Sequence, residues 1–378
     1  MIIFNLESDE EILIDNVAKE MGKTNQNDKV FLKPLSRFGK SGARLFFIHV
    51  RRSNDTVSLS RIAKLDTVKK LKREKEKTKS IIHDFKLRPE ILYDNIEDKN
   101  DDKKAIILYK IEGDKELKDL LESCTSGMSL KKTKFKKVIS TIKIVMKGLP
   151  NPSTTPSNKQ INDAFNEYLR GGAGFEKIKQ YANNDITFPY IKEANWEKLI
   201  NKINKFLNDK ISLNIGAIHG DLHPSNIMID TENNYAVNLI DFAWAKIDGI
   251  SAVDYAMMEN SIQYMWAPHW LPEYFWDKFN FYSLEEYETW QNSKKTFLKS
   301  LENEEYLKKW GKAIWDIIKI IRKYANARKI SHQELLAARI ALLLGQAKFD
   351  DYPPVRVGAQ LWRLLVAWEK ELKKQTSD

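Results

Sequence analysis

The chain contains one cysteine, Cys124, in 378 residues, so it cannot close an internal disulfide, which fits either a reducing cytosol or simple scarcity of cysteine. It has no apolar run near the roughly 18 residues that a membrane-spanning helix needs, so no membrane partner is expected. Its opening, "MIIFNLESDEEILID", puts acids where a secretion signal needs a basic head and a longer apolar stretch. Internal repeats are absent, and lysine runs are the only compositional bias. These absences together lead us to expect a cytoplasmic protein. What is present is a globular composition: 42% hydrophobic and 11% aromatic residues are enough for a sizeable core, and the length suits one large or two modest domains. The formal charge of +10 raises the question of nucleic acid. Much of it sits in two segments, "VKKLKREKEKTKS" (68–80) and "LKKTKFKKVISTIKIVMKGL" (130–149). In the second, Phe135, Val138, Ile139, Ile142, Met146 and Leu149 recur at helical spacing, which leaves the lysines on the opposite, solvated face. A nucleic-acid partner is therefore not expected.

Along the chain, 8–22 reads as a helix opened by a capping box of Ser8 and Glu11. Strands follow at 29–36, 43–50 and 57–66, the first two joined by the turn "RFGKSG" (37–42). The lysine-rich helix 68–80 comes next, and two further strands at 89–96 and 105–111. After Ile111 the pattern turns helical, with "KELKDLLES", 130–149, "INDAFNEYLR" and "NWEKLINKINKFLND", and later 304–327, 332–347 and 357–374. "PNPSTTPSNK" (150–159) reads as a loop by its prolines and serines. We expect an α+β protein with a sheet-rich first domain, 1–111, and a mostly helical second domain, 112–378.

Two polar fragments interrupt the helical part. "AIHGDLHPSNIMID" (217–230) places Asp221 and Asn226 five positions apart, and "NLIDFAW" (238–244) ends an apolar strand on Asp241. Phosphoryl transfer needs residues of these types: a carboxylate to orient and deprotonate the attacking hydroxyl, and hard oxygen ligands to hold magnesium against phosphates. His219 and His223 stand at i and i+4, the spacing of a zinc pair on a helix. Here a proline-containing loop separates them and no third ligand is evident, so we read both as organising the loop by hydrogen bonds.

"HGDLHPSN" followed by "LIDF" resembles the catalytic core of the aminoglycoside phosphotransferase and choline kinase-like superfamily. The resemblance implies a two-lobed protein-kinase-like fold: a small antiparallel sheet with one main helix, then a mostly helical lobe. It also implies Asp221 as the catalytic aspartate, Asn226 and Asp241 as magnesium ligands, and Asp254 in "GISAVDYA" as a brace for the catalytic loop. A lysine on the third strand is implied too, and Lys64 in "SRIAKLD" stands there. Its partner should be a glutamate on the next helix. Glu74 shares the packing stripe of Val68, Leu71 and Thr78, whereas Glu76 points away, so Glu74 is the choice. The turn "RFGKSG" occupies the place of the phosphate-covering loop, where Gly39 and Gly42 permit close backbone approach and Ser41 offers a hydroxyl and an amide to an anion, although it lacks the G-x-G-x-x-G of protein kinases. "AIILYKI" resembles the hinge, where backbone groups of Tyr109 and Ile111 would pair with the nucleotide base. Ala243 and Trp244 after "DF" depart from protein kinases and disfavour a flexible activation segment.

The function implied is transfer of the terminal phosphate of ATP or GTP, with Mg2+, to a hydroxyl of an unidentified small molecule or macromolecule. The run 264–290 is rich in aromatic residues and could box a cationic substrate or simply pack helices. The stretch from "KPLSRFGKSGARLFFIHV" to "RIAKLD" is also similar to kinase-like ternary complex associated domain proteins of bacterial multi-component systems. That likeness would make the acceptor a protein partner or another macromolecule. The rival class is a kinase-shaped module that binds nucleotide, nucleic acid or a partner without turnover.

Overall fold

Strands β1 (Lys29–Pro34), β2 (Arg44–Arg51), β3 (Ser60–Thr67), β4 (Glu90–Asp94) and β5 (Lys104–Lys110) form one antiparallel sheet in the order β1-β2-β3-β5-β4. The two-residue period of a strand sends Ala105, Ile107 and Tyr109 of β5 to one face and Ile106 and Leu108 to the other. Both faces are apolar, so both must be covered. Helix α1 (Ser8–Glu20) covers one, packing Leu13, Ile14, Val17 and Ala18 against Phe46, Ile48, Ala63, Leu65, Ile106 and Leu108. Helix α2 (Val68–Ser80) covers the other, with Val68 and Leu71 against Phe47, Ile62, Ala105, Ile107 and Tyr109. Each fully buried valine, leucine, isoleucine or phenylalanine among these gains about 1.5–3 kcal/mol, which lets α2 keep its lysines in solvent without losing its seat.

The structure is a computed structural model and describes residues 6–35, 43–51, 53, 60–81, 83–85, 87, 90–96, 101–110, 115–117, 120–121, 124–126, 129–182, 195–229, 236–264, 275, 296–301, 304–349 and 354–375. By internal contacts the chain divides into two compact units. The first is Met1–Leu120 together with Pro224–Lys246, and the second is Leu121–His223 together with Ile247–Asp378. The first unit thus contains more than the continuous 1–111 expected from sequence. Strands Ile227–Ile229 and Val237–Leu239 pair as a hairpin, and β6 (Lys115–Glu116) adds a third strand to it. Met228 and Ile240 from this segment join the α2-side core, which is why the hairpin belongs to the sheet unit.

The second unit is mostly helical: α3 (Lys132–Gly148), α4 (Ala173–Ala182), α5 (Trp196–Asn208), α6 (Ala252–Tyr264), α7 (Glu305–Ala327), α8 (His332–Gln346) and α9 (Pro354–Gln375). Helix α8 is apolar nearly all round and buried from Glu334 to Gln346, as a central helix must be. A neighbouring backbone reaches it at Gly345, where a Cβ would stand 1.8 Å from the Tyr168 carbonyl oxygen. A three-stranded sheet, Lys246–Ile250, Lys210–Ile218 and Thr154–Gln160, completes the unit. No helix of the described residues is long and apolar enough to cross a membrane.

Three local expectations are corrected. The N-cap of α1 is Glu7, and its N–H donates to Glu10 at 3.2 Å, so the box is not Ser8 with Glu11. Glu10 is buried and paired with Arg44, and that tertiary contact fixes the register of the cap. The start of "KELKDLLES" is the strand Lys115–Glu116, drawn out by pairing with Met228 and Ile229. Within the stretch read as a loop, Thr154–Gln160 is an edge strand on Lys210–Ile218, a position that tolerates Pro156.

Candidate functional site

Lys64 lies on the α2-facing side of β3, beside Ile62 and the apolar residues of that core. Its residue exposure is 3%, a costly place for an ammonium unless it is paired. Two carboxylates pair with it: Glu74 Oε2 at 2.6 Å and Asp241 Oδ1 at 2.8 Å. Glu74 falls on the buried stripe of α2 with Val68, Leu71 and Thr78, whereas Glu76 is exposed, as the helical spacing predicts. Burial works against the charge of Lys64, but Asp241 and Glu74 outweigh it and its pKa is raised. Burial also raises the pKa of Glu74, with the charge of Asp241 adding to it and Lys64 opposing. The other oxygen of Glu74, Oε1, accepts a hydrogen bond from the Tyr109 hydroxyl. Four side chains from β3, α2, β5 and the end of the hairpin therefore form one connected polar cluster.

Asp241 reaches the cluster because the hairpin delivers it. The Ile240 N–H donates to the Asn226 carbonyl at 3.0 Å, which extends the pairing of Ile227 with Leu239 by one step. Asn226 and Asp241 consequently stand at the same end of the hairpin. Asp241 takes a left-handed backbone, φ +63° and ψ +64°, a conformation that aspartate tolerates better than most residues. The chain then makes a 3-10 turn at Phe242–Trp244 and passes into the strand Lys246–Ile250. Phe242 is fully buried and meets Phe85 edge to face at 5.7 Å, which fixes the turn in the first unit. The Asn226 residue is 4% exposed, and the Asp241 side chain 23%.

In the second unit, the strand Lys210–Ile218 runs directly into His219, Gly220 and Asp221. Gly220 has φ +81°, open to glycine at little cost. The successive N–H groups of His219 and Gly220 both donate to Asp254, at 2.8 Å each. Asp254, in the first turn of α6, is buried, and its pKa is pushed up to about 7. Burial is the main cause; the two N–H groups oppose it and the charge of Asp221 adds to it. The Asp221 N–H donates to His219 Nδ1 at 3.4 Å, and His223 Nε2 stands 3.8 Å from Asp221 Oδ2. Glu334 on α8 steadies the approach strand. Its carboxylate accepts from the Asn214 backbone N–H, from the Asn214 side-chain amide at 2.8 and 3.0 Å, and from the Ser331 N–H at 2.8 Å.

Each unit thus gathers its own set: Lys64, Glu74, Tyr109, Asn226 and Asp241 in the first, His219, Asp221, His223 and Asp254 in the second. Gly39, Ser41, Gly42, Ile111 and nearly all of the aromatic run 264–290 lie outside the described residues. Tyr109 stands in register between Ile62 of β3 and Ile91 of β4. What sequence reasoning missed there was its side chain. The signal was available, since Tyr109 has the parity of Ala105 and Ile107, and a hydroxyl on a buried face needs a partner. Among the described residues no group of three His, Cys, Asp or Glu is arranged to hold a metal ion.

Comparison with curated proteins finds none that matches the chain in sequence. Among solved structures, a glucosamine kinase is similar at 9% identity and a TM-score of 0.37, over 93% of this chain and 94% of that one. A Plasmodium vivax ethanolamine kinase is similar at 13% identity and a TM-score of 0.34, over 99% and 95% of the two chains. Both superpositions are loose. By sequence, residues 170–290, which carry the His219–Asp241 segment, match the model of the phosphotransferase enzyme family.

Proposed function

We propose that the chain is a magnesium-dependent phosphotransferase that moves the terminal phosphate of ATP or GTP to a hydroxyl of an acceptor. The observation that carries this reading is the buried Lys64 ammonium held between Glu74 and Asp241. A fixed cation beside a partly exposed carboxylate suits polyphosphate and its metal ion. Asn226 and Asp241 would hold the magnesium. They are hard oxygen donors, and magnesium commonly takes only one or two protein carboxylates, with phosphates and waters filling the rest. When bound, the ion neutralises charge on the phosphates. Lys64, kept in place by Glu74, turns its remaining donor capacity to phosphate oxygens. Asp221 orients the acceptor hydroxyl and takes its proton as the acceptor oxygen bonds to phosphorus and the bond to the nucleoside diphosphate breaks. His219 and Gly220, tied to Asp254, hold the backbone that presents Asp221. The acceptor is a small molecule or a macromolecule such as a partner protein.

The test is ATP binding by calorimetry, with and without magnesium, on the wild type and on a folded Asp241→Ala variant. The expected result is magnesium-dependent affinity that disappears in the variant. Unchanged magnesium dependence in Asp241→Ala would overturn the role of Asp241. ATP consumption by the wild type, with contaminating ATPases excluded, separates an enzyme from a module that only binds nucleotide.

A further inference from the structure

Resting on the phosphotransferase reading, we infer that Tyr109 is a positioning residue: its phenol fixes the Glu74 carboxylate, and through it the ammonium of Lys64, for nucleotide binding. The argument begins with strand parity. Ala105, Ile107 and Tyr109 share the α2-facing side of β5, and all three are fully buried. For packing alone a phenylalanine would serve at 109. The hydroxyl adds a donor in a core where an unpartnered polar atom is expensive, and it is spent on Glu74 Oε1. Burial, together with the charge of Glu74, raises the pKa of Tyr109 well above the ordinary phenol value, so the group stays an O–H donor at any working pH.

The two oxygens of Glu74 are thus held from opposite sides, Oε1 by Tyr109 and Oε2 by Lys64 at 2.6 Å. A carboxylate gripped at one oxygen can pivot; gripped at both, it cannot. This matters because Lys64 is drawn two ways, toward Glu74 and toward Asp241 Oδ1 at 2.8 Å. Where its Nζ rests is a balance between two carboxylates, and Tyr109 stiffens one side of it. Backbone contacts reinforce the same side: Thr78 Oγ1 donates to the Glu74 carbonyl at 2.8 Å and ties the helix turn that carries Glu74.

The experiment compares full-length variants by their Kd for Mg–ATP and their thermal unfolding midpoints. Tyr109→Phe removes only the hydroxyl. Ile107→Val, on the same face of the same strand and in register with Lys64, trims the same core without removing any polar group, and it calibrates what packing loss alone does to binding. Tyr109→Phe is expected to weaken Mg–ATP binding by about tenfold, the scale of one hydrogen bond to a charged group. Ile107→Val should leave Kd within about twofold at a comparable drop in midpoint. In a Glu74→Gln background, where Lys64 has lost its charged anchor, Tyr109→Phe should weaken binding no further. An unchanged Kd in Tyr109→Phe, a shift matched by Ile107→Val, or the same tenfold factor persisting in Glu74→Gln would each overturn the inference. A wild type that binds no nucleotide would instead overturn the phosphotransferase reading, and this inference with it.

Discussion

Each compact unit holds a cluster of three charges, and the two clusters are inverses. In the first, one ammonium is shared by two carboxylates: Lys64 with Glu74 at 2.6 Å and Asp241 at 2.8 Å. In the second, one carboxylate is shared by two guanidiniums: Glu259 on α6 with Arg322 on α7 at 2.6 Å and Arg339 on α8 at 3.0 Å. The electrostatics run in parallel. Burial opposes the charge on Glu259, yet Arg322 and Arg339 outweigh it and hold its pKa below the ordinary value, just as two carboxylates raise that of Lys64. The difference lies in exposure. No side chain of the second cluster is more than 2% exposed, whereas the Asp241 side chain is 23% exposed. A closed cluster can only tie its helices together, at a desolvation cost that its pairing offsets. An open one has a member that can exchange a protein partner for a ligand. Chemistry is expected where the cluster is open, and stability where it is closed.

The largest effect should come from an exposed carboxylate, and it should fall on turnover alone. Asp221, whose side chain is 30% exposed, is the proposed acceptor of the hydroxyl proton. Asp221→Asn keeps the shape and removes the base. Phosphoryl transfer is expected to fall by about 10²–10⁴-fold, while Mg–ATP affinity and the unfolding midpoint stay close to wild type. Slow transfer to water, followed as ADP release, can report this before the acceptor is known. If the variant consumes ATP at the wild-type rate, Asp221 is not the base.

The closed cluster should respond the other way. Glu259→Ala leaves Arg322 and Arg339 buried beside a hole, and breaking a buried pair in this way costs about 3–5 kcal/mol. Denaturant unfolding should show that loss, and any fall in turnover should track the unfolded fraction. A loss below about 1 kcal/mol would mean that the guanidiniums find other partners cheaply, and the contrast between the clusters would fail.

How far these features could be read from sequence depends on the distance over which each is determined. The strands β1–β5 and the helix α2 follow from local period. The choice of Glu74 over Glu76 follows from the face of one helix. The link from Lys64 to Asp241 joins residues 177 apart in the chain, and no local pattern encodes it; only the resemblance of "HGDLHPSN" and "LIDF" suggested that they serve one site. The strand Thr154–Gln160 reads as a loop because its β character is supplied by its partner, Lys210–Ile218, about fifty residues later. Glu259 reads as one more charged helix residue, since burial at 0% is set by three helices meeting and not by its neighbours in sequence. The Glu334–Asn214 clamp was hidden for the same reason.

A third buried carboxylate sharpens the rule that a buried charge needs a charged partner. Asp254 is as buried as Glu259, but its partners are two backbone N–H groups, from His219 and Gly220, rather than two guanidiniums. Its pKa accordingly moves the opposite way, up to about 7 where that of Glu259 is lowered. The sign of the linkage follows. Between the unfolded value near 3.8 and about 7, the folded chain holds a proton that the unfolded chain has released. Stability from this group is therefore full below about pH 4 and is lost as pH rises toward 7. Asp254→Asn imitates the protonated acid and has no such dependence. Unfolding free energies of wild type and variant, measured from pH 4 to 8, should diverge at up to about 1 kcal/mol per pH unit, with the wild type losing ground as pH rises. Parallel curves would mean that the two N–H donors suffice to keep Asp254 ionised throughout. A backbone dipole pair would then do for Asp254 what two guanidiniums do for Glu259.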